Sequence, residues 1–266
     1  MTARAPFDFI PLPAGRSLKP RDNGRTMMID DGLPLAHVAD LLDTAGDYAD
    51  LVKIKTGTAR LYRRDTLQAK LALYGRHQVR PFLGGQFHEY VFATQGEDML
   101  PRFYEEALAL GFTTIEISDN TVPLTPQQRM GQIRNACAAG LTVFGEVGSK
   151  ETVNDPLALV EQARDCLEAG AQLVLVEAAE LVDAGRLRHD TIQILKRELD
   201  LSRVMIELPG PWIADVRSCD IESMKKALFA EFGPDVNLAN VAPDSLIDTE
   251  AERIGLGTAG PGQARR

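Results

Sequence analysis

The sequence predicts a closed barrel of eight parallel β-strands, each followed by an α-helix, in a single domain. Eight short apolar runs alternate with helical stretches, the runs are spaced almost evenly, and nearly every run ends on a polar residue. Strict alternation also fits an open, doubly wound sheet of eight strands. The even spacing and the polar strand ends favour the closed (β/α)8 barrel, in which such residues build the site.

Each predicted strand is a short β-branched or apolar run that gives way to polar residues, glycine or proline. By this criterion the strands cover residues 26–30, 51–57, 79–85, 113–119, 141–148, 172–177, 203–208 and 236–241.

Helical stretches fill the intervals, and many carry residues typical of helix starts or ends. Glycine follows the stretches at 35–45, 66–74 and 99–110, Thr-Pro and Asp-Pro pairs precede those at 127–139 and 157–169, and two more lie at 189–199 and 218–232. We expect a proline-rich strap at 1–25, the barrel at 26–256 and a flexible tail at 257–266, which lacks apolar anchors.

Composition narrows the choice of partners. The 266 residues carry a formal net charge of −9 without a run of basic residues, so nucleic acid is not an expected partner. The three cysteines form no C-x-x-C pair, which fits a reducing compartment. The sequence shows neither a signal-peptide core nor an apolar run long enough to span a membrane, so a cytoplasmic protein is expected. A homo-oligomer is left open.

Side-chain alternation indicates where the chemistry should lie. In the strand at 113–119, Ile115 and Ile117 suit the helix-facing side, so Glu116 and Ser118 should point to the barrel axis. The same reasoning predicts inward side chains near the ends of other strands: Met28, Asp30, Lys53, Lys55, Glu146, Glu177 and Glu207.

A ring of inward carboxylates needs cations, because buried charges must be paired or coordinate a metal. We therefore predict a Mg²⁺ (or Mn²⁺) site among Asp30, Glu116, Glu146, Glu177 and Glu207, flanked by lysines that hold an anionic substrate. A simpler interpretation is that Glu116 or Glu207 pairs with Lys53 in a structural layer of the barrel.

The chain resembles the phosphosulfolactate synthase family over residues 9 to 257. The resemblance is carried by LKPRDNGRTMMIDDGL (18–33), AGDYADLVKIKTGTARLY (45–62), LGFTTIEISDNTVPL (110–124), GLTVFGEVGSK (140–150) and FGPDVNLANVAPDSLIDTEAERIGLGT (232–258).

The resemblance implies a (β/α)8 barrel and a Mg²⁺-dependent addition of sulfite to C3 of phosphoenolpyruvate, a carbon–sulfur lyase activity of the EC 4.4.1 class. It makes Lys150 the candidate acid that protonates C2, with Lys53 and Lys55 as further catalytic candidates. A small phosphorylated acid is the expected partner. The candidates for binding it are Arg60, Gln86, Ser118, Asn237 and Asn240.

Four departures from the family pattern fall at the expected mouth of the barrel. KIKTGT replaces a KFGWGT-like run and places Lys55 where a small residue is usual, and Gln86 stands in GGQF instead of GGTLF. The segment after the sixth strand, EAAELVDAGRL, places Ala179 in a stretch that usually reads E-x-R-E-S-G, and ELPGPW with Pro209 replaces EAP. These changes predict an altered substrate or nucleophile.

Two other functions fit the residues. Because Lys53 and Lys55 are neighbouring like charges, the pKa of one of the two amines could be depressed enough for attack on a carbonyl, and the protein would then be a Schiff-base aldolase. The family also contains a plant heat-stress branch, so a non-catalytic member is a third hypothesis, although retention of Asp30, Glu116, Glu146 and Lys150 argues against it.

Overall fold

A computed structural model describes residues 6–12, 15–148, 154–183, 186–210 and 216–256. Within these ranges, parallel strands close into a barrel in sequence order, which confirms the predicted (β/α)8 fold. The barrel strands are β1 (Thr26–Asp30), β2 (Leu51–Ile54), β3 (Arg80–Leu83), β4 (Thr114–Ile117), β5 (Thr142–Val147), β6 (Leu173–Glu177), β7 (Val204–Glu207) and β8 (Leu238–Val241). The expected tail at 257–266 lies outside the described residues.

Helices cover the outside of the barrel. They are α1 (Leu35–Ala45), α2 (Arg64–Arg76), α3 (Gly85–Gln95), α4 (Leu100–Leu110), α5 (Pro126–Ala138), α6 (Pro156–Glu168), α7 (His189–Glu198), α8 (Ser218–Phe232) and α9 (Leu246–Arg253). The sequence predicted all of these except α3 and α9. None of the described helices has the length and apolar character needed to cross a bilayer.

The apolar core has two parts. Residues on the outer faces of the strands pack against the helices in one large cluster. A second cluster fills the barrel interior and is formed by Met27, Leu51, Phe82, Phe144, Leu173, Leu175, Met205 and Ala239. Because Phe82 and Phe144 meet edge to face with ring centroids 5.1 Å apart, the interior is a packed plug and not a channel.

The interior cluster fixes which side chains of each strand face the axis. On β2 and β4 to β7 the parity agrees with the sequence prediction. On β1 it is the reverse, because Met27 lies in the interior cluster whereas Met28 packs in the helix-facing one. The inward prediction for Met28 and Asp30 is therefore wrong.

Residues of the amino-terminal strap contact the segments that precede the strands. Lys19 Nζ donates to the carbonyls of Gly46 at 2.7 Å and His77 at 3.0 Å. Arg21 forms a buried ion pair with Asp50 at 2.9 Å, immediately before β2. These contacts lie on the amino-terminal side of the barrel, so the opposite end is left for a site.

Candidate active site

A cavity of about 260 Å³ lies above the interior plug, at the carboxyl ends of the strands. Side chains from β1, β2, β4, β5, β7 and β8 reach it, together with the loops that follow β2, β3 and β4. Its lining consists of Ile29, Lys53, Lys55, Thr56, Gly84, Gly85, Gln86, Glu116, Asn120, Glu146, Glu207 and Asn240. The cavity therefore brings together most of the inward charged residues that the sequence predicted.

Three buried glutamates converge at the floor of this cavity. Glu116, Glu146 and Glu207 each offer a carboxylate oxygen, and these oxygens all lie within 4.8 Å of one another. Lys53 Nζ lies among them, 2.7 Å from Glu116 Oε2 and 2.5 Å from Glu207 Oε1. The predicted structural pairing of Lys53 is thus present, but one lysine cannot neutralise three carboxylates.

The electrostatics of the cluster follow from burial and crowding. Burial alone would lower the pKa of Lys53, but the three surrounding carboxylates outweigh it, so its pKa lies well above the ordinary value of a lysine. Burial raises the pKa of Glu116 well above its ordinary range, and repulsion from Glu146 and Glu207 raises it further, so that the attraction of Lys53 offsets these effects only in part. A further cation among these carboxylates would stabilise their ionised forms.

The amino terminus of α3 holds one of these carboxylates in place. The backbone N–H of Gly85, the first residue of the helix, donates to Glu116 Oε1 at 2.8 Å. A Cβ atom at this position would lie 2.1 Å from Ser118 Oγ and 2.9 Å from Glu116 Oε1. Glycine is therefore required at 85 for the helix end to approach the carboxylate, and the partial positive charge of the helix end favours the ionised form.

The loop after β4 orients a second carboxylate. Asn120 Nδ2 donates to Glu146 Oε1 at 2.6 Å. The loop itself is held by Glu89 of α3, which accepts hydrogen bonds from the backbone N–H groups of Thr121 at 2.6 Å and Val122 at 2.9 Å, and from the hydroxyl of Ser118. Asn120 and Glu89 were not predicted, although Asn120 lies in the SDNT stretch directly after a strand, which is a usable signal.

Three residues singled out in the sequence form the upper wall. Lys55 and Gln86, two of the family departures, both line the cavity. Asn240 does so as well, and its side-chain amide donates to the carbonyl of Leu208 at 3.2 Å. The Asn240 Oδ1 atom is buried and has no hydrogen-bond partner among the residues that the structure describes, so it could accept from a ligand.

Asp30 belongs to a different site. It faces the helix layer, where Oδ2 pairs with Lys70 of α2 at 2.6 Å and accepts from the Tyr74 hydroxyl at 2.7 Å. Its other oxygen accepts from the backbone N–H groups of Gly32 and Leu33. With its carboxylate fully engaged beneath the helices, Asp30 is not among the residues that could hold a metal in the cavity.

Other predicted residues do not line the cavity. Glu177 ends β6 with inward parity and is buried, yet its carboxylate is not part of the three-glutamate group. Ser118 is engaged by Glu89, and Asn237 bonds the backbone of Arg25 and Val204 at the amino-terminal side of the barrel. Arg60 is exposed on another cavity, between α2 and α4, and Lys150 lies outside the described residues.

The three glutamates suit a hard divalent cation. Carboxylate oxygens are the ligands that Mg²⁺ prefers, and Mg²⁺ is commonly held by a small number of them. Glu116 Oε2 is buried and lies in an ion pair with Lys53. The donor set therefore fits Mg²⁺ or Mn²⁺, and Glu116, Glu146 and Glu207 are the residues of the predicted five that the structure brings close enough together to hold such an ion.

Comparison with known sequences supplies independent information. The family model for (2R)-phospho-3-sulfolactate synthase (ComA) matches residues 14–258. The phosphosulfolactate synthase of Methanothermobacter thermautotrophicus is 34% identical over 261 residues, which cover 94% of this chain and 95% of the relative. That of Bacillus subtilis is 29% identical, covering 91% and 93%. The Arabidopsis thaliana Protein HEAT-STRESS-ASSOCIATED 32 is 24% identical, covering 80% and 79%.

Solved structures agree with the fold. The 3-hexulose-6-phosphate synthase of Salmonella typhimurium superposes with a TM-score of 0.51 at 17% identity, covering 90% of this chain and 99% of that one. The dihydrodipicolinate synthase of Agrobacterium tumefaciens gives a TM-score of 0.53 at 14% identity, covering 91% and 77%. At these identities the likeness concerns the barrel fold alone.

Proposed function

The chain belongs to the (2R)-phospho-3-sulfolactate synthase family, and we propose that it catalyses a Mg²⁺-dependent conjugate addition of sulfite, or a related nucleophile, to phosphoenolpyruvate or a similar enolpyruvyl acid. Such an enzyme is a carbon–sulfur lyase of the EC 4.4.1 class. The observation that carries the proposal is the convergence of Glu116, Glu146 and Glu207 around Lys53 in the strand-end cavity.

Charge balance supports a divalent cation. The cavity lining contains two lysines and three glutamates, which leaves one excess negative charge when all are ionised. A phosphorylated enol acid adds about 1.5 to 2 negative charges from its phosphate and one from its carboxylate. Binding such a ligand without a further cation would place net negative charge on both sides of the contact. A Mg²⁺ ion removes that repulsion.

The chemistry also fits this arrangement. Attack of sulfite on C3 forms a carbon–sulfur bond, breaks the C2–C3 π bond and shifts negative charge toward the substrate carboxylate, after which a proton must reach C2. Mg²⁺ held by the three glutamates would supply Lewis-acid stabilisation of that developing charge.

The chain's own residues prepare the site. Lys53 remains an ammonium and keeps the glutamates from separating, while Gly85 N–H and the Asn120 amide fix the carboxylates of Glu116 and Glu146. Lys55 lines the cavity as a second cation for the substrate. Lys150 remains our candidate for the acid that delivers the proton to C2.

A Schiff-base mechanism at Lys53 is disfavoured by the same contacts. Carbonyl attack needs an uncharged amine, whereas the carboxylates around Lys53 raise its pKa. The depressed pKa expected from its neighbour Lys55 is therefore not found at Lys53, and the addition reaction is the better fit.

The test is ³¹P NMR of phosphoenolpyruvate incubated with the protein, sulfite and Mg²⁺. We expect a new phosphate-ester resonance that depends on both sulfite and Mg²⁺ and disappears when EDTA removes the metal. Glu146→Gln should lower the rate at least about 100-fold, the scale of an electrostatic stabiliser. Glu106→Gln, an exposed carboxylate paired with Arg64, is the matched control and should keep full activity. Consumption of phosphoenolpyruvate in the absence of any added nucleophile, or turnover unaffected by EDTA, would contradict the proposal.

A further inference from the structure

A second cavity, of about 340 Å³, adjoins the candidate active site. The two share Ile29 of β1 and Asn240 of β8 as wall residues, so they are neighbouring parts of the same barrel mouth. The second cavity lies above β7 and β8, and Pro209, one of the family departures, is part of its wall. A small inorganic anion attacking in the first cavity would leave this volume unused.

The walls of the second cavity are largely apolar. Leu208 and Val241 are each 1% exposed and form its base, and Ile221 and Pro243 form its sides. Apolar walls stabilise an organic group through the area removed from water, at roughly 25 cal/mol per Å². The cavity is therefore suited to carbon-containing groups.

The charged residues that line it are mostly acidic. Asp31 and Asp244 are exposed at the rim, and Glu222 of α8 also lines the cavity. The one lysine among the described lining residues, Lys225, is already engaged by Glu222 at 2.8 Å and Glu252 at 3.4 Å. The amino termini of α8 and α9 contribute at most about half a positive charge each. Three carboxylates, one lysine and two helix ends leave about one net negative charge, so the cavity favours cations over anions.

We propose that this second cavity binds the organic part of the nucleophile, and that the nucleophile is a thiol carrying a cationic amine. This inference rests on the proposed addition reaction and specifies its second substrate. Apolar walls receive the carbon chain, and the acidic rim of Asp31 and Asp244 receives the ammonium group.

The step remains a redox-neutral addition. The thiolate sulfur forms a bond to C3 of the enolpyruvyl acid, the C2–C3 π bond breaks, and C2 takes up a proton in place of the one lost by the thiol. No group leaves, so the product is a thioether that retains its phosphate.

The test compares two thiols of opposite charge, cysteamine and 3-mercaptopropionate, each with phosphoenolpyruvate and Mg²⁺, followed by ³¹P NMR. We expect kcat/KM for cysteamine to exceed that for 3-mercaptopropionate about tenfold or more, given attraction and repulsion by two rim carboxylates. The double variant Asp31→Asn/Asp244→Asn should lose most of this preference. Because both residues are exposed, the variant should fold normally.

Matched variants separate charge from volume. Asp40→Asn/Asp98→Asn removes two exposed carboxylates away from the cavity and should leave the preference unchanged. Ala242→Phe, at an exposed lining position with extended backbone, should raise the KM for cysteamine by occupying the cavity.

The outcomes distinguish the two proposals. Equal rates for the two thiols, or a preference for the anionic one, would overturn the inference. If sulfite reacts and neither thiol does, the inference is wrong and the proposed function stands. If sulfite and both thiols fail to react, the proposed function is wrong as well.

Discussion

At the scale of single residues, two buried acidic side chains, each in a segment that resembles the family, have different roles. Asp30 is bound by Lys70, Tyr74 and two backbone N–H groups in the helix layer. Glu116 belongs to the crowded cluster in the cavity, where carboxylates outnumber lysines. Asp30 therefore stabilises the fold, whereas Glu116 lies where a cation could bind, among carboxylates that repel one another.

Exchanging each for its amide should separate these duties. Asp30→Asn should lower the free energy of unfolding by about 3–5 kcal/mol, because Lys70 would remain buried without a counter-charge. Glu116→Gln should cost little stability and abolish most of the stabilisation by Mg²⁺. Urea unfolding with and without Mg²⁺ measures both effects. If the Asp30→Asn variant stays stable but is no longer stabilised by Mg²⁺, Asp30 contributes to cation binding and this assignment is wrong.

Lys55 gives a prediction about substrate binding. Lys55→Met keeps the length of the side chain and removes its charge from the cavity wall, so the Kd for phosphoenolpyruvate should rise roughly tenfold. Calorimetric titration in the presence of Mg²⁺ measures this. Lys226→Met, on α8 and outside the cavity lining, is the control. Equal affinities for the two variants would mean that Lys55 does not contact the anion.

At the scale of elements, α3 links the scaffold to the site. Its first residue, Gly85, binds Glu116, and Glu89 one turn later holds the loop that carries Asn120. Because both contacts come from one helix, a displacement of its amino terminus should disturb two of the three cavity glutamates together.

Gly85→Ala tests this link. The added methyl group would meet Ser118 and Glu116 at less than 3 Å, so the helix end must move away from the cavity. We expect a soluble, folded variant with at least about 100-fold lower activity, as for loss of a preorganised donor. Gly131→Ala within α5 has open space around the new methyl group and should be neutral or stabilising by up to about 1 kcal/mol. Equal activity in both variants, measured beside circular dichroism spectra, would refute a role for the helix end.

The sequence predicted these elements unevenly, for physical reasons. Periodicity and punctuation located every barrel strand, because each is a short apolar run between polar segments. The facing of β1 could not be read from TMMID, since both faces of a parallel strand are buried and Met27, Met28 and Ile29 are all apolar. The orientation of Asp30 toward the helices is fixed by its ion pair with Lys70, which lies on α2.

The helix α3 was missed because its amino terminus has no capping side chain and begins at Gly84-Gly85, a pair that equally suggests a tight turn. Its residues Glu89 and His88 were therefore not placed, although the inward glutamates and lysines of the regular strands were. Strand parity thus predicted the centre of the site, and the parts that depend on loops and helix ends required the three-dimensional arrangement.

At the scale of the whole molecule, stability should depend on pH through His88. This side chain is buried against Tyr104, with Nε2 2.9 Å from the tyrosine hydroxyl, and burial lowers its pKa from 6.5 to about 4. Between about pH 4 and pH 6.5, this histidine therefore binds a proton in the unfolded chain but not in the folded one. His88 lowers stability as the pH falls below 6.5, and the loss reaches about 3 kcal/mol near pH 4.

His88→Gln keeps a hydrogen-bonding partner for Tyr104 and cannot take up the proton. The free energy of unfolding of the variant, relative to that of the unmodified protein, should therefore rise by about 2 kcal/mol when the pH is lowered from about 7.5 to about 5. Urea unfolding at the two pH values measures the difference, in which the titration of all other groups cancels. Parallel pH profiles for the two proteins would show that His88 is protonated in the folded state.

We expect Glu116, Glu146 and Glu207 to form one divalent cation site at the carboxyl end of the barrel. Mn²⁺ titration followed by electron paramagnetic resonance tests it most directly, because free and bound Mn²⁺ are counted separately. We predict one bound ion per chain, retained in Glu177→Gln and lost in Glu116→Gln and Glu146→Gln. Absence of binding at millimolar Mn²⁺, or binding that survives both of the latter substitutions, would contradict the claim.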